Sequence, residues 1–437
     1  MPTTISSPAT KAALLTGIAL LLLVPLQLLQ GLVGERVSER DAAVQAVARG
    51  WGGRQVLSGP ILAIPVTTAA DPDHPRDWYV LPDSLDLTAD LQVHDAPRSV
   101  GAYQVPVYVT HVRAQGAFDL TQEIARLRRG GPPLSIHIEQ ARLLLPINDL
   151  RGLRNLSPGH TGFGDFEPAE GFPIATLAAT LTSGVDLTAG RHAFDLSFDL
   201  AGTQSLQFLP LARTLTVRSR GNWPDPGFTS GFLPVERQVT AQGFAARWQV
   251  LNFNRSYGDR WFQDATSVAT VLDSGFGVDL VQPVDIYQRT LRAVKYGGLF
   301  IALSLLTLFL VEALQRRAVH PIQYGLMGLA LSVFYLLLLA LSEHLSFLLA
   351  YLTAAAALCA LMGVYLGGAL HNLRAGIASA GILGATYALL YLLVTSENYA
   401  LLAGAIALFA LLATVMVLTR RVDWYEAERT RAKESLP

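Results

Sequence analysis

Apolar residues gather into six long runs, and between the first and second of these the pattern changes period. The first run, residues 12–32, follows Lys11 and is long enough to cross a bilayer, since a helical span needs ~20 apolar residues. The stretch "LLQGLVGERVSER" offers no small-x-small cleavage site, so the run reads as an uncleaved signal anchor rather than a signal peptide. The other five runs are 297–314, 322–341, 345–366, 375–394 and 400–418. In residues 33–50, Val37, Val44, Val47 and Trp51 recur at helical spacing among charged residues, predicting an amphipathic continuation of the first helix.

Beyond Gly52 the period becomes two. In "SLDLTADLQV", Leu85, Leu87, Leu91 and Val93 alternate with Asp86, Thr88, Asp90 and Gln92. In "RHAFDLSFDL", Phe194, Leu196, Phe198 and Leu200 alternate with Asp195, Ser197 and Asp199. "YQVPVYVTHV", "SIHIEQARLLL" and "TLTVRSRG" follow the same rule. These are half-buried strands punctuated by Gly, Pro and Asp turns, and no regular strand–helix alternation accompanies them. The expected fold class is therefore an α+β membrane protein. It has one N-terminal transmembrane helix, a large and mainly antiparallel β periplasmic domain, and a C-terminal bundle of five transmembrane helices. Its segments are 1–32, 33–290 and 291–437, with 157–173 as the best internal boundary of a β domain long enough for one large sandwich or two smaller ones.

Charge orients these spans. Short cytoplasmic loops collect Lys and Arg. Arg316 and Arg317 lie in one loop, Arg374 in another, and Arg420, Arg421, Arg429, Arg431 and Lys433 in the tail, whereas "SEH" and "TSEN" hold no Lys or Arg. Both termini are thus expected in the cytoplasm and residues 33–296 in the periplasm. Arg289, Arg292 and Lys295 fall on the opposite side, beside a large translocated domain, where charge counts for less.

The same topology puts Glu343 in a tight turn at the outer interface, because placing it at the bilayer centre would cost at least ~2.5–3.5 kcal/mol. Ser342 is expected to cap the helix that follows, with Glu343 at the positive end of its dipole. The device recurs at Ser396, Glu397 and Asn398, either as a duplicated hairpin or as Leu-rich sequence meeting itself by chance. Glu343, His344 and Glu397 are the candidate polar site. They serve either capping and topology or, as interfacial groups, cation binding or proton relay.

Composition narrows the chemistry further. The chain is 51% hydrophobic and 15% charged with net charge −1, so nothing marks a nucleic-acid surface. Cys359 is the single cysteine and lies in an apolar run, which excludes an intramolecular disulfide and suits a packing role. The chain holds no GxSxG elbow, HExxH, Walker A or paired CxxC motif, and no catalytic, metal-binding or cofactor-binding set is assigned. "DPDHPRD", with Asp71, Asp73 and His74, reads as a solvated turn, and His137 as an exposed strand residue.

Three long stretches carry a resemblance: "WPDPGFTSGFLPVERQVTAQGFAARWQVLNFNR", "FGVDLVQPVDIYQRTLRAVKYGGLFIAL" and "HPIQYGLMGLALSVFYLLLLALSEHLSF". With "GRQVLSGPILAIPV", they resemble the CreD family of bacterial inner-membrane, cell-envelope integrity proteins. The resemblance implies an inner-membrane protein with a periplasmic domain, linked to envelope stress and β-lactam response, and it brings no catalytic residues. The expected function is non-enzymatic: the periplasmic domain binds a partner or envelope component, and membrane lipids surround the bundle. The alternative is a transporter or lipid-handling protein that works through the C-terminal bundle.

Overall fold

The computed structural model describes residues 16–417 apart from 70, 95–97, 102, 122–123, 126–133, 160–161, 171, 173, 264–267, 281–285, 316–319, 370, 397–401, 403, 407–408, 410–412 and 414–415. Two compact units emerge, a helical one from Met1–Glu39 and Val284–Pro437 and a β unit from Arg40–Pro283. The helices are α1 (Leu23–Trp51), α2 (Val268–Asp273), α3 (Ile286–Gln315), α4 (Pro321–Ser342), α5 (Phe347–Ala369) and α6 (Leu373–Thr395).

The period-two segments form the strands of the β unit. One seven-stranded sheet runs, in spatial order, Leu153–Pro158, Arg191–Thr203, Val107–Asp119, Ser84–Val93, Thr214–Gly221, Gly243–Leu251 and Glu236–Thr240. Neighbours are antiparallel except Ser84–Val93 beside Thr214–Gly221, which are parallel. A second sheet centres on Ile61–Thr68, flanked by Arg142–Pro146 and Asp71–Val80. A third, of four strands, holds Gln55–Leu57, Ser205–Phe208, Phe276–Leu280 and Pro226–Ser230.

One core joins all three sheets. Leu87, Leu196 and Val217 come from the first, Ile64, Trp78 and Leu145 from the second, and Phe208 and Val278 from the third. Alternation works as expected in Arg191–Thr203, where Phe194, Leu196, Phe198 and Leu200 are buried and Asp195, Ser197 and Asp199 are half-buried on the other face. Ile61–Thr68 departs from it because both of its faces are covered. Leu62 and Ile64 enter the main core, while Ile61 and Ala63 meet Tyr79, Leu144, Tyr257 and Trp261 in a second cluster.

Three expectations for this unit change. "SIHIEQARLLL" is not one strand: Leu134–Ile136 and Arg142–Pro146 are separated by a 3-10 turn at Ile138–Gln140. His137 therefore precedes that turn, where its Nε2 lies 3.2 Å from Thr67 Oγ1. "DPDHPRD" is the solvent-exposed start of strand Asp71–Val80 rather than a turn, and His74 Nδ1 sits 2.8 Å from Asp71 Oδ1. The segment 157–173 separates no cores. Leu153–Pro158 pairs with Arg191–Thr203, Glu167–Ala169 pairs with Thr176–Thr180, and the chain on both sides feeds the same interior.

The unit's tightest polar stitch follows the 3-10 turn Asn252–Asn254. The Arg255 side chain is fully buried, donating to the carbonyls of Tyr257 (2.8 Å) and Gly258 (2.6 Å) and pairing with Asp259. Burial pushes the Arg255 guanidinium down from its usual range, against the pull of the Asp259 charge. At the β-unit end of α1, Val47 packs on Val105 and Val107, and Trp51 Nε1 donates to the Tyr108 carbonyl (3.2 Å). The amphipathic continuation expected for residues 33–50 is therefore helical throughout.

In the helical unit, four helices among the described residues are long and apolar enough to cross a membrane: Thr16–Trp51, Ile322–Ser342, Phe347–Ala369 and Leu373–Thr395. α3 packs into the same core through Ala293, Val294, Phe300 and Ile301. It begins well before the expected span at 297, because Thr290, Ala293 and Val294 make a buried stripe while Gln288 and Lys295 stay exposed. Most of the 400–418 run lies outside the described residues. Local signals fix the helix starts. The His320 side chain accepts from Ile322 N–H (3.3 Å), Gln323 reaches back to His320 N–H (3.0 Å), and Pro321 opens α4. Asn372 caps α6. α5 and α6 approach closely at glycines: a Cβ on Gly376 would lie 2.5 Å from the Gly363 carbonyl oxygen. Cys359 packs at the edge of the helical core.

Candidate functional site

Of the three residues singled out in the sequence, Glu343 is the one with a built environment. α4 continues through Ser342, whose hydroxyl donates back to the Leu339 carbonyl (2.8 Å), and Glu343 is the C-cap residue. The next helix starts only at Phe347, with Ser346 just before it and the Ala350 N–H bonded to the Ser346 carbonyl (2.9 Å). Ser342 is therefore not the cap of the following helix, and Glu343 does not sit at a positive dipole end. It occupies the carbonyl end of α4, where a carboxylate is disfavoured by about 0.3–1 kcal/mol. The turn, residues 343–346, is one residue longer than the expected 342–344, because Ser342 joins α4 while Leu345 and Ser346 stay outside both helices.

What offsets that unfavourable position is Arg36 on α1. Its Nε stands 3.3 Å from Glu343 Oε1, and its Nη1 also reaches Glu39 (3.1 Å). Sequence reasoning missed this partner because Arg36 reads as one more charge on an amphipathic helix. His344 is exposed in the turn, and Glu397 lies outside the described residues. Ser396 is the C-cap of α6, whereas Ser342 is still the last residue of α4.

Aromatic rings gather beside the turn. Phe347 stacks on Tyr391 with ring centroids 6.3 Å apart, and Arg289 of α3 lies over the Phe347 ring at 5.4 Å. Arg292 Nη1 reaches the Val394 carbonyl at 3.5 Å. Deeper in the unit, Tyr351 donates to the Tyr387 carbonyl (2.6 Å). The hydroxyls of Tyr335 and Tyr387 are buried beside one another without reaching hydrogen-bond geometry to any partner among the described residues. Apolar runs hide such groups, since tyrosine counts as a packing residue in a Leu-rich helix.

The β unit carries a second polar surface, on the solvent face of the first seven-stranded sheet, where charged residues of six strands are paired across strands. Strand Arg191–Thr203 presents Asp195 and Asp199, and Val107–Asp119 presents His111 and Arg113. Ser84–Val93 presents Asp86 and Asp90, Thr214–Gly221 presents Arg218 and Arg220, Gly243–Leu251 presents Arg247, and Glu236–Thr240 presents Glu236. The contacts bridge neighbouring strands: Arg113 to Asp195 (2.7 Å), Arg218 to Asp86 (2.7 Å), Arg220 to Asp90 (2.5 Å) and Arg247 to Glu236 (2.5 Å). Hydrogen bonds from Arg113 hold the Asp195 carboxyl below the usual carboxylate range, and those from Asn155 and then His111 do the same for Asp199. Alternating Asp and Arg were visible in each strand; the order of strands that pairs them was not. Among the described residues no group of three or more His, Cys, Asp or Glu is placed to hold a metal ion.

Comparison with known proteins matches residues 7–425 to a family model described as inner membrane protein CreD. The chain is also 32% identical over 438 residues to the inner membrane protein CreD of Escherichia coli (strain K12), covering 97% of this chain and 95% of that protein.

Proposed function

We propose, from the premise that this chain belongs to the CreD family of inner membrane proteins, that it serves envelope integrity and the envelope-stress response without catalysis. In this reading the β unit lies in the periplasm and binds a partner or envelope component. The helical unit, as a five-helix C-terminal bundle with the N-terminal anchor, holds it at the multi-pass inner-membrane position and transmits its state. Both termini are cytoplasmic. Support for the orientation comes from charge: Arg316, Arg317, Arg374 and the basic tail fall in alternate connections of the apolar runs, whereas "SEH" and "TSEN" hold no Lys or Arg.

The observation that carries the binding reading is the charge-paired face of the seven-stranded sheet. An antiparallel sheet with one covered face needs only polarity on the other. Here that face has fixed charge, paired across six neighbouring strands, a pattern that selects partners by electrostatic complementarity. In vivo photo-crosslinking from Thr216, at the middle of that face, tests it: a defined envelope component is captured there and not from a probe at exposed Lys295. Hydrolysis of a peptidoglycan, lipid or phosphoester substrate by the purified protein, abolished by a point mutation, would refute the non-enzymatic reading.

A second reading, transport or lipid handling by the helical unit, is favoured by the buried Tyr335 and Tyr387 hydroxyls. Polar groups inside a membrane bundle mark pathways more often than packing. Flux into proteoliposomes that stops with Tyr387→Phe would establish it. The Arg36–Glu343 pair argues against Glu343 as a free cation ligand.

A further inference from the structure

We infer that the cleft formed by Arg218, Arg220 and Arg247 on the solvent face of the seven-stranded sheet is a binding site for a phosphate ester. This rests on the reading of the β unit as an envelope-binding domain and names the chemistry that its charged face takes.

Register makes the case. Strands Thr214–Gly221 and Gly243–Leu251 pair so that Arg218 stands directly opposite Arg247. Like charges in directly opposed positions destabilise a sheet. Elsewhere on this face opposite signs meet, as at Glu236 against Arg247. Arg220 lies two residues from Arg218 and so shares its face. Three guanidinium groups thus crowd the middle of two adjacent strands.

Each arginine is tethered by a carboxylate of a flanking strand, and Asp90 and Glu236 line the cleft with them. Asp86 and Asp90 hold Arg218 and Arg220 from strand Ser84–Val93, and Glu236 holds Arg247 from the edge strand. These tethers use Nη1 of Arg218 and Nη2 of Arg247. A guanidinium carries five N–H donors, so both keep donors beyond those tethers. Between them the side chains are short. Ala245 pairs with Arg220 across the strands, and Thr88 lies beside Arg218, leaving a cleft of about 520 Å³. The carboxylates thus splay the arginines into fixed positions around a gap floored by small residues.

Geometry selects the ligand. A planar carboxylate is matched by one guanidinium fork, and each arginine here already has such a partner. A tetrahedral phosphate monoester offers three terminal oxygens and suits the remaining donors of Arg218 and Arg247, arriving from two strands beside the Arg220 charge. The cleft is larger than a bare oxyanion, so the ester's organic part rests over Ala245 and Thr88. The phosphate belongs either to a soluble ester or to a lipid headgroup.

The test uses the full-length protein in dodecyl maltoside, which carries no phosphate. Glycerol 3-phosphate is titrated calorimetrically, and binding to vesicles containing phosphatidic acid, whose headgroup is a phosphate monoester, is followed by flotation. Saturable binding of either probe is expected, weakened about tenfold by Arg218→Gln or Arg247→Gln and lost in the double variant. Arg151→Gln, in the exposed 3-10 turn Leu150–Gly152 and outside the seven-stranded sheet, binds as wild type. Binding of the soluble ester assigns a soluble source, and binding of vesicles alone assigns a headgroup. A double variant that melts like wild type shows that lost binding is not lost folding, and Arg218→Lys with Arg247→Lys retains part of the binding if the double Gln variant does not fold. Absence of binding to both probes, binding unchanged in a folded double variant, or equal weakening by Arg151→Gln overturns the inference. Crosslinks from Thr216 that persist in that case leave the broader binding reading intact.

Discussion

Leu196→Asp and Asp195→Asn form a matched pair on neighbouring residues of one strand, and they should differ by several kcal/mol. Leu196 is fully buried in the three-sheet core, opposite Ala114 on one side and Pro158 on the other. Removing a buried leucine side chain costs about 2–5 kcal/mol. Leaving an unpaired carboxylate in its place adds a further penalty on the order of several kcal/mol, unless the group takes up a proton. The sum is comparable with the whole stability of a typical domain, about 5–15 kcal/mol. Asp195 points the other way. It accepts from Arg113 at 3.1 and 2.7 Å and from Gln115 at 3.0 Å, yet its side chain is 39% exposed, so solvent screens the pair. Asparagine keeps the shape and one acceptor, and the loss is within about 1 kcal/mol. Five of the six tryptophans (Trp51, Trp78, Trp223, Trp248 and Trp261) lie in the β unit, so fluorescence during guanidinium unfolding of the detergent-solubilised protein reports mainly on it. Leu196→Asp should abolish the cooperative transition and Asp195→Asn should leave its midpoint nearly unchanged. Equal effects would mean that the faces of this strand have been assigned the wrong way round.

Four further outcomes are expected. Gly376→Val should lower the melting temperature of the helical unit, because a Cβ there meets Gly363 O at 2.5 Å and Gly367 Cα at 2.8 Å, whereas Gly325→Ala, with open space, should be silent in the same melt. Asp195, Asp199 and Glu236 have folded-state pKa values below their unfolded ones, so their contribution is full above about pH 4 and is lost as pH falls through the folded values. The unfolding midpoint should therefore drop below about pH 4, and Asp199→Asn should flatten part of that slope. Reporter fusions after Arg317, Arg374 and Arg421 should read cytoplasmic and one within 157–173 periplasmic; a cytoplasmic reading there would overturn the topology. Glu343→Gln should leave insertion and envelope resistance intact in a complemented deletion strain at matched protein levels, and loss of resistance with normal insertion would make Glu343 a functional group.

Strand positions were legible wherever one face alone is buried, as in "RHAFDLSFDL" and "SLDLTADLQV", because a period of two is then imposed by solvent. "ILAIPV" carries no such period, since clusters on both of its faces take apolar residues. "SIHIEQARLLL" has a good pattern yet breaks at Ile138–Gln140, and the break becomes visible only through pairing: Leu134–Ile136 and Arg142–Pro146 both bind Ile61–Thr68, at different points along it. The membrane runs announced the helices but not their ends. Ser342 looks like an N-cap, but the helix before it continues through that residue and takes its hydroxyl back to Leu339. Cross-strand neighbours such as Arg218 and Arg247 are far apart in sequence, so no local pattern can pair them.

Local satisfaction separates the two polar candidates. Glu343 looks functional in sequence because it is a carboxylate between apolar runs, but the structure gives it Arg36, a counter-charge on another helix of the same unit that offsets the adverse end of the α4 dipole. Its placement is thus accounted for by folding alone. Arg218 and Arg247 look ordinary in sequence, as outward residues on exposed strands, and each has a carboxylate nearby. Their direct opposition works against the sheet, a cost that the pairs with Asp86 and Glu236 offset without explaining why two arginines face each other. A feature that folding explains needs no ligand. A feature that folding leaves unexplained points to one, and by that criterion the sheet face of the β unit is a better place to look for this protein's chemistry than the turn after α4.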